Sequence, residues 1–137
     1  AVSNSTVPHI TVILGNSYGA GNYGMSGRAF NTRFTYLWPT AKIAIMGPKQ
    51  IAGVMSLVRR GQAARKGLEF DEDADRKTTE QVEYYHEQKS LALYATGRVT
   101  DDGIIDPRDT RDIVAMSLSA CHNNAIEGAE GFGVFRM

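Results

Sequence analysis

The period of apolar and polar positions changes several times along the chain. His9-Ile10-Thr11-Val12-Ile13-Leu14 is β-branched and almost continuously apolar, which predicts a strand buried on both faces of a parallel or mixed sheet. The run stops at Gly15. Glycine then alternates with small and aromatic residues as far as Asn22. Met25, Arg28, Ala29 and Phe30 follow at spacings that suit a short helix packed closely through Gly24 and Gly27. Strand, glycine turn and helix N-terminus are expected in that order. Phe34-Thr35-Tyr36-Leu37-Trp38 reads as a further strand, Pro39-Thr40 as a turn, and Lys42-Ile43-Ala44-Ile45-Met46 as the next strand. Gly47-Pro48 ends it, and Pro48 suits the first turn of a helix in which Ile51, Val54, Met55 and Val58 recur at helical spacing. Arg59-Arg60-Gly61 is expected to close that helix, with cations where its dipole favours them.

Residues 62–88 are the most charged part of the chain. They read as exposed helix and loop, with Val82, Tyr85 and Leu91 as a narrow apolar stripe. The expectation is a helical pair projecting from the core rather than a second domain. A solvated face is the plain reading of these charges, and a docking surface the sharper one. Residues 91–99 read as helical and then extended near Arg98-Val99. Asp101-Asp102-Gly103 and Asp106-Pro107 make turns on either side of Ile104-Ile105. Residues 109–123 predict a helix whose broad apolar face carries Ile113, Val114, Met116, Leu118 and Ala120. The tail, residues 131–137, is apolar enough to be expected to dock on a surface, within this chain or a neighbouring one.

Composition adds bounds. A chain of 137 residues with 42% apolar content suffices for one core. Lysine plus arginine equals aspartate plus glutamate at 15 each, so no net charge draws the chain to nucleic acid or an anionic membrane, and any anion must be held by a local arrangement. Cys121 is the single cysteine, so no intrachain disulfide is possible, and a reduced, intracellular setting is expected. No apolar run is long enough to span a bilayer and no signal-peptide layout opens the chain, so a soluble protein is expected. Ala1-Val2-Ser3-Asn4 leads within a few residues into a buried-looking strand. The polypeptide therefore reads as a piece of something longer, with apolar surface meant for a missing neighbour.

Several chemistries lack their residues. The glycines are not followed by the lysine and hydroxyl of a phosphate loop. His9, His86 and His122 stand far apart and Cys121 has no metal-ligand spacing to them, so no metal site is expected. Ser17 and Ser26 lie near the glycines, but neither fits a nucleophile elbow. What remains is the turn itself. Where a strand hands over to a helix, the first helical N–H groups have no intrahelical partners and attract negative charge. Two such donors aimed at a developing oxyanion are worth about 2.7–4 kcal/mol each. The alternative is that these glycines only permit tight packing, and the spacing alone names no substrate.

Several segments in one order resemble a known family: Val7-Pro8, residues 10–25 from Ile10 through the glycine turn to Met25, Gly27-Arg28-Ala29-Phe30, Arg33-Phe34, Trp38-Pro39, residues 101–107, Asp109-Thr110-Arg111 and the ending at residues 132–137. The chain resembles the carboxyltransferase (β) subunits of biotin-dependent acyl-CoA carboxylases, most of all the methylcrotonoyl-CoA carboxylase type. The resemblance implies an α/β, crotonase-like β/β/α spiral. Residues 1–137 would be the last part of its C-terminal domain, truncated at the N-terminus and carrying the projecting helical segment. It also implies transfer of carboxylate from biotin to an acyl-CoA at a site between subunits, the other half of which binds the acyl-CoA. The backbone N–H groups of Ala20 and Gly21 would form the catalytic oxyanion hole for the biotin ureide oxygen, within a biotin-binding turn of Tyr18, Gly19, Ala20, Gly21 and Asn22. The freed ureido nitrogen would take the substrate proton, so no general base is needed here.

The implied partners are further copies of the chain, a biotin carboxylase or biotin carrier subunit, and acyl-CoA. The implied setting is the bacterial cytoplasm or the mitochondrial matrix, and the fragment alone would be inactive. Ser26, Pro48, Lys49 and Thr100 depart from the family pattern of cysteine, glycine, an acidic residue and tryptophan or a similar bulky residue, which leaves geranyl-CoA, methylcrotonoyl-CoA and a less specific acyl-CoA open. A stand-alone hydratase or decarboxylase would need Asp101, Asp102 or Asp106 as acids. A non-catalytic oligomerisation piece would use the helix at residues 109–123. Arg28 and Arg111 could hold a carboxylate, but ion pairing is their plainer reading.

Overall fold

The computed structural model describes residues 1–128, 131 and 133, so the expected docking of the apolar tail falls largely outside the described residues. Strand β1 (Ile10–Ile13) pairs in parallel with β3 (Phe34–Leu37), Ile10 opposite Phe34 and Ile13 opposite Leu37. The two-residue strand β5 (Gly103–Ile104) adds in parallel to the other side of β3, giving the order β1-β3-β5. Between β1 and β3 lie β2 (Asn16–Tyr18), which belongs to a second, two-stranded sheet with β4 (Lys42–Ala44), and the short helix α1 (Gly19–Gly24).

The alternation in β3 is sharp. Thr35 and Leu37 are buried while Phe34 and Tyr36 are half-buried, as the two-residue period of a strand requires. Leu37 is fully buried and sits with Ile13, Ala41, Ala92 and Ala95 in the core, against which Ile43 and Ile104 pack. The last two alanines belong to α4 (Ala92–Gly97). Burial of β1 on both faces is not observed: only Ile13 is buried, and Leu14 is 51% exposed.

Helix α5 (Thr110–Cys121) is tied to β3 by polar tips on aromatic rings. The Tyr36 hydroxyl lies 2.8 Å from Ser117 Oγ, and Trp38 Nε1–H, just beyond the strand, donates to Thr110 Oγ1 at 3.0 Å. Trp38 is thus a packing residue, and Cys121 is buried in the same helix.

By contacts the chain divides into two compact units, Ala1–Ile43 with Leu91–Met137, and Ala44–Ser90. The second contains α2 (Pro48–Lys66) and α3 (Glu72–Ser90). Pro48 occupies the first turn of α2 as expected, but the helix does not stop at Gly61. It runs on to Lys66 and is closed by Gly67, whose φ of +63° suits glycine, with Leu68 N–H donating to Ala63 O at 3.0 Å. A mid-helix glycine costs only about 1 kcal/mol against alanine, which packing on α3 offsets.

The seam between these two helices has a polar centre, and of the expected apolar stripe Val82 and Leu91 are half-buried. Tyr85 is 53% exposed, and Val54, Met55 and Val58 are exposed too. Buried instead are Ala52 and Asp75, whose carboxylate accepts from the Ser56 hydroxyl at 2.5 Å and from Arg59 Nε at 2.6 Å, while Arg59 also donates to Thr79.

The Ser56 hydrogen bond, followed by the Arg59 bond and the charges of Arg59 and Arg60, holds the Asp75 carboxyl below its usual value against the opposing effect of desolvation. A depressed carboxyl contributes stability that is fully present above its unfolded value of about 3.9 and is lost as pH falls through the folded value. Asp75→Asn is therefore expected to unfold at lower temperature than the native sequence at pH 6, with the gap narrowing as pH falls below the ordinary aspartate value of about 3.9. Thermal melts followed by helical circular dichroism across that range check this, and a gap independent of pH would refute it.

Candidate functional site

The glycine turn contains the helix itself. Tyr18, extended at φ −120° and ψ 138°, occupies the N-cap of α1 and makes no side-chain cap bond, and Gly19 takes φ +50°, which favours glycine. Ala20 and Gly21 follow in the first turn and are exposed. Their N–H groups belong to the set that a helix of this kind leaves without intrahelical acceptors. A Cβ built on Gly21 would meet no atom within 4 Å, so the space off this backbone is open. An open depression of about 250 Å³ is lined by residues 11–17, Asn22 and Met25; Ala20 and Gly21 are not among its lining residues. The structure thus brings Tyr18, Gly19, Ala20, Gly21 and Asn22 together in one turn. Their roles differ: the Asn22 side chain donates to Ser17 Oγ at 2.9 Å and fastens the turn to β2.

The helix expected at residues 25–30 is displaced. Met25 is 76% exposed, Ser26 turns the chain at φ +59°, and only a 3₁₀ turn, Arg28–Phe30, follows. Gly24 and Gly27 do not serve one helix. Gly27 is buried against Asn22, where an added Cβ would stand 2.0 Å from Oδ1 and 2.8 Å from the backbone oxygen.

A cluster that the sequence did not signal lies behind α1. Ser26 is 8% exposed, and its Oγ lies 2.6 Å from His9 Nδ1 and 3.3 Å from Thr32 Oγ1. The Ser26 carbonyl accepts from the Thr11 hydroxyl at 2.9 Å and the Thr32 hydroxyl at 2.6 Å. The other ring nitrogen of His9 lies 2.9 Å from Ser5 Oγ. A serine beside a histidine resembles an activated nucleophile, yet here the hydroxyl is buried between His9 and Thr32.

The carboxylates proposed as acids are engaged elsewhere. Asp101 is buried and accepts from Thr96 Oγ1 at 2.9 and 3.1 Å. Asp102 pairs with Arg28 at 2.9 Å and accepts from the Thr35 N–H at 2.7 Å, so Arg28 is an ion-pair residue that ties the turn after α1 to the β3–β5 edge. Asp106 accepts from the Arg108 side chain and backbone N–H, which hold its carboxyl below the usual value, and it caps the 3₁₀ turn Pro107–Asp109. Arg111 is exposed on α5. Among the described residues, no group of three histidine, cysteine, aspartate or glutamate side chains converges as a metal site, and no helix is long and apolar enough to cross a membrane.

Comparison with known proteins adds a family. The model of the carboxyl transferase domain matches residues 1–134. The probable biotin-dependent acyl-coenzyme A carboxylase beta2 subunit of Mycobacterium tuberculosis is 53% identical over 137 residues, which are all of this chain and 26% of that protein. The probable mitochondrial methylcrotonoyl-CoA carboxylase beta chain of Drosophila melanogaster is 47% identical, again over the whole chain and 24% of its own length. Among solved structures, the beta subunit of P. aeruginosa geranyl-CoA carboxylase superposes with a TM-score of 0.81 at 34% identity, covering 99% of this chain and 26% of that one. The chain therefore spans about a quarter of the length of these relatives. The mixed α/β, crotonase-like architecture implied by the sequence resemblance is the architecture found.

Proposed function

Because the chain belongs to the carboxyl transferase domain family, we propose that it forms the biotin-facing part of a carboxyltransferase acting on an acyl-CoA of the methylcrotonoyl-CoA kind, and that Ala20 and Gly21 are its oxyanion donors. The observation that carries the reading is the exposure of these two first-turn residues, with open space where a Cβ on Gly21 would stand. Biotin, borne on a partner subunit, supplies the carboxylate. Ala20 and Gly21 donate their N–H groups to the oxygen on which negative charge develops, and the fixed backbone dipoles need no rearrangement as it does. Gly19, through its positive φ, aims the two peptide planes, Tyr18 starts the helix, and Asn22 holds it to Ser17.

The acyl-CoA pocket lies on residues outside this chain, contributed by the rest of the subunit and by further copies of it, in the bacterial cytoplasm or the mitochondrial matrix. The 137-residue chain alone is accordingly expected to show no carboxyl transfer to an acyl-CoA from carboxybiotin, measured with the purified polypeptide; turnover would refute the division of the site. With Asp101, Asp102 and Asp106 committed to Thr96, Arg28 and Arg108, no observation favours a hydratase.

A full-length carboxyltransferase subunit carrying this segment provides the test. Gly21→Ala is expected to stabilise it by about 0.5–1 kcal/mol, since alanine outranks glycine in a helix and the added methyl meets nothing. The same methyl enters the space reserved for biotin, so carboxyl transfer falls about tenfold or more. Melting temperature and steady-state transfer from carboxybiotin check the pair of effects, and an unchanged rate would overturn the assignment of the turn.

A further inference from the structure

Helix α1 has no means of holding its own place. At six residues it is shorter than two turns, it buries none of them, and it has no side-chain N-cap bond. Its position must come from its ends. At the front stands the Asn22–Ser17 bond. At the back stands Ser26, a non-glycine residue at φ +59°, a conformation that persists only where the surroundings over-determine it.

They do so through every polar atom of the residue. The Ser26 N–H donates to Tyr23 O at 3.1 Å, inside α1, the carbonyl accepts from Thr11 and Thr32, and the hydroxyl meets His9 and Thr32. His9 is the member anchored to the sheet, because its carbonyl accepts from the N–H groups of Arg33 at 2.9 Å and Phe34 at 3.3 Å where β1 meets β3. Ser5 on the far ring nitrogen fixes the orientation of the imidazole. A path of short hydrogen bonds therefore runs from the sheet through the His9 ring to Ser26 and into the C-terminal turn of α1.

We propose that His9, acting through Ser26, is a positioning residue that fixes the direction of the Ala20 and Gly21 N–H groups. This rests on the assignment of those two groups as oxyanion donors. Neither side chain touches substrate. Their effect is to keep the donors within the few tenths of an ångström that such stabilisation demands, and they should therefore act on turnover rather than on acyl-CoA binding.

The test uses the full-length subunit with its biotin-bearing partner, in the variants His9→Ala, Ser26→Ala, their double and His9→Asn. Each single alanine variant is expected to lower kcat about tenfold with KM for acyl-CoA unchanged, and the double to be no worse than either single, since one path is broken in each case. His9→Asn, whose amide can stand where Nδ1 stood, is expected to recover most of the rate. Hydrogen exchange of the peptide spanning residues 16–25 should quicken in His9→Ala and return in His9→Asn. Wild-type kcat in either single, additive losses in the double, or a loss that follows melting temperature without rescue would overturn the proposal. If those variants fail the test while Ala20→Pro lowers transfer by about 10²–10³-fold, the positioning role alone falls; if Ala20→Pro leaves transfer intact, the donor assignment falls, and the positioning role with it.

Discussion

Ala20→Pro in the full-length subunit is expected to lower carboxyl transfer by about 10²–10³-fold, the loss associated with removing one oxyanion donor, while leaving the fold in place. The separation of the two effects comes from where the residue sits. Ala20 lies in the first turn of α1, it is exposed, and its N–H is among those the helix does not use. Proline is tolerated in a first helical turn because its ring sets a helical φ and the missing hydrogen was bonding nothing in the helix. The change thus removes one donor without emptying any core, since the cavity-sensitive residues of this unit, Leu37, Ile13, Ala92 and Ala95, lie elsewhere. The loss belongs in kcat for transfer from carboxybiotin, with KM for acyl-CoA little moved, because the proposed reading puts the turn on the biotin side. Circular dichroism and melting temperature establish that the fold is kept. A rate within threefold of the unmodified subunit would take Ala20 out of the mechanism.

How much of this was legible in the sequence depends on which force set each feature. The strands β1 and β3 and the start of α2 were readable, because apolar period and proline placement are local signals and the sheet obeys them. The glycine turn was recognisable through its residues in order, but its form was not. Six residues rich in glycine have little reason to be helical on propensity, so the helix was expected later, where Met25 and Phe30 supply apolar spacing. Tertiary ties decide instead, through Asn22, Ser17 and Ser26.

Those ties are hydroxyls, an amide and an imidazole, scattered from Ser5 to Thr32, and apolar periodicity is blind to them. The same blindness explains the α2–α3 seam. Asp75 lay in the stretch read as a solvated face and Arg59 was expected only to close a helix, until the fold placed both beside Ser56. Asp101, Asp102 and Asp106, read as turn residues that a hydratase would also need as acids, show the converse. Their type suited acid catalysis, but type says nothing of availability: Asp101 and Asp106 are engaged by the nearby Thr96 and Arg108, and Asp102 by an arginine 74 residues away.

The largest structural effect is expected at Gly27, and conformation is not the cause. Its φ of −68° and ψ of 170° are open to any residue, so alanine would meet no backbone strain there. Space decides. The added Cβ would lie 2.0 Å from Asn22 Oδ1 and 2.8 Å from the Asn22 backbone oxygen. The side chain can swing aside, at the loss of its bond to Ser17, but the backbone oxygen is part of α1 and moves only if the helix moves. Overpacking of this kind typically costs about 1–3 kcal/mol, and the shift it forces falls on the helix that carries Ala20 and Gly21. Gly27→Ala is therefore expected to lower both melting temperature and carboxyl transfer, the latter by about 10²-fold if the donors move by about 1 Å. Gly61→Ala provides the contrast within the same subunit. It lies mid-α2 with no atom within 4 Å of its added Cβ, and should stabilise by roughly 0.5–1 kcal/mol with no change in rate. The two alanines together separate a glycine needed for close approach from one that is merely permitted. Native melting temperature and native transfer in Gly27→Ala would mean that α1 is not seated on Gly27, and that the proposed oxyanion donors take their position from some other contact.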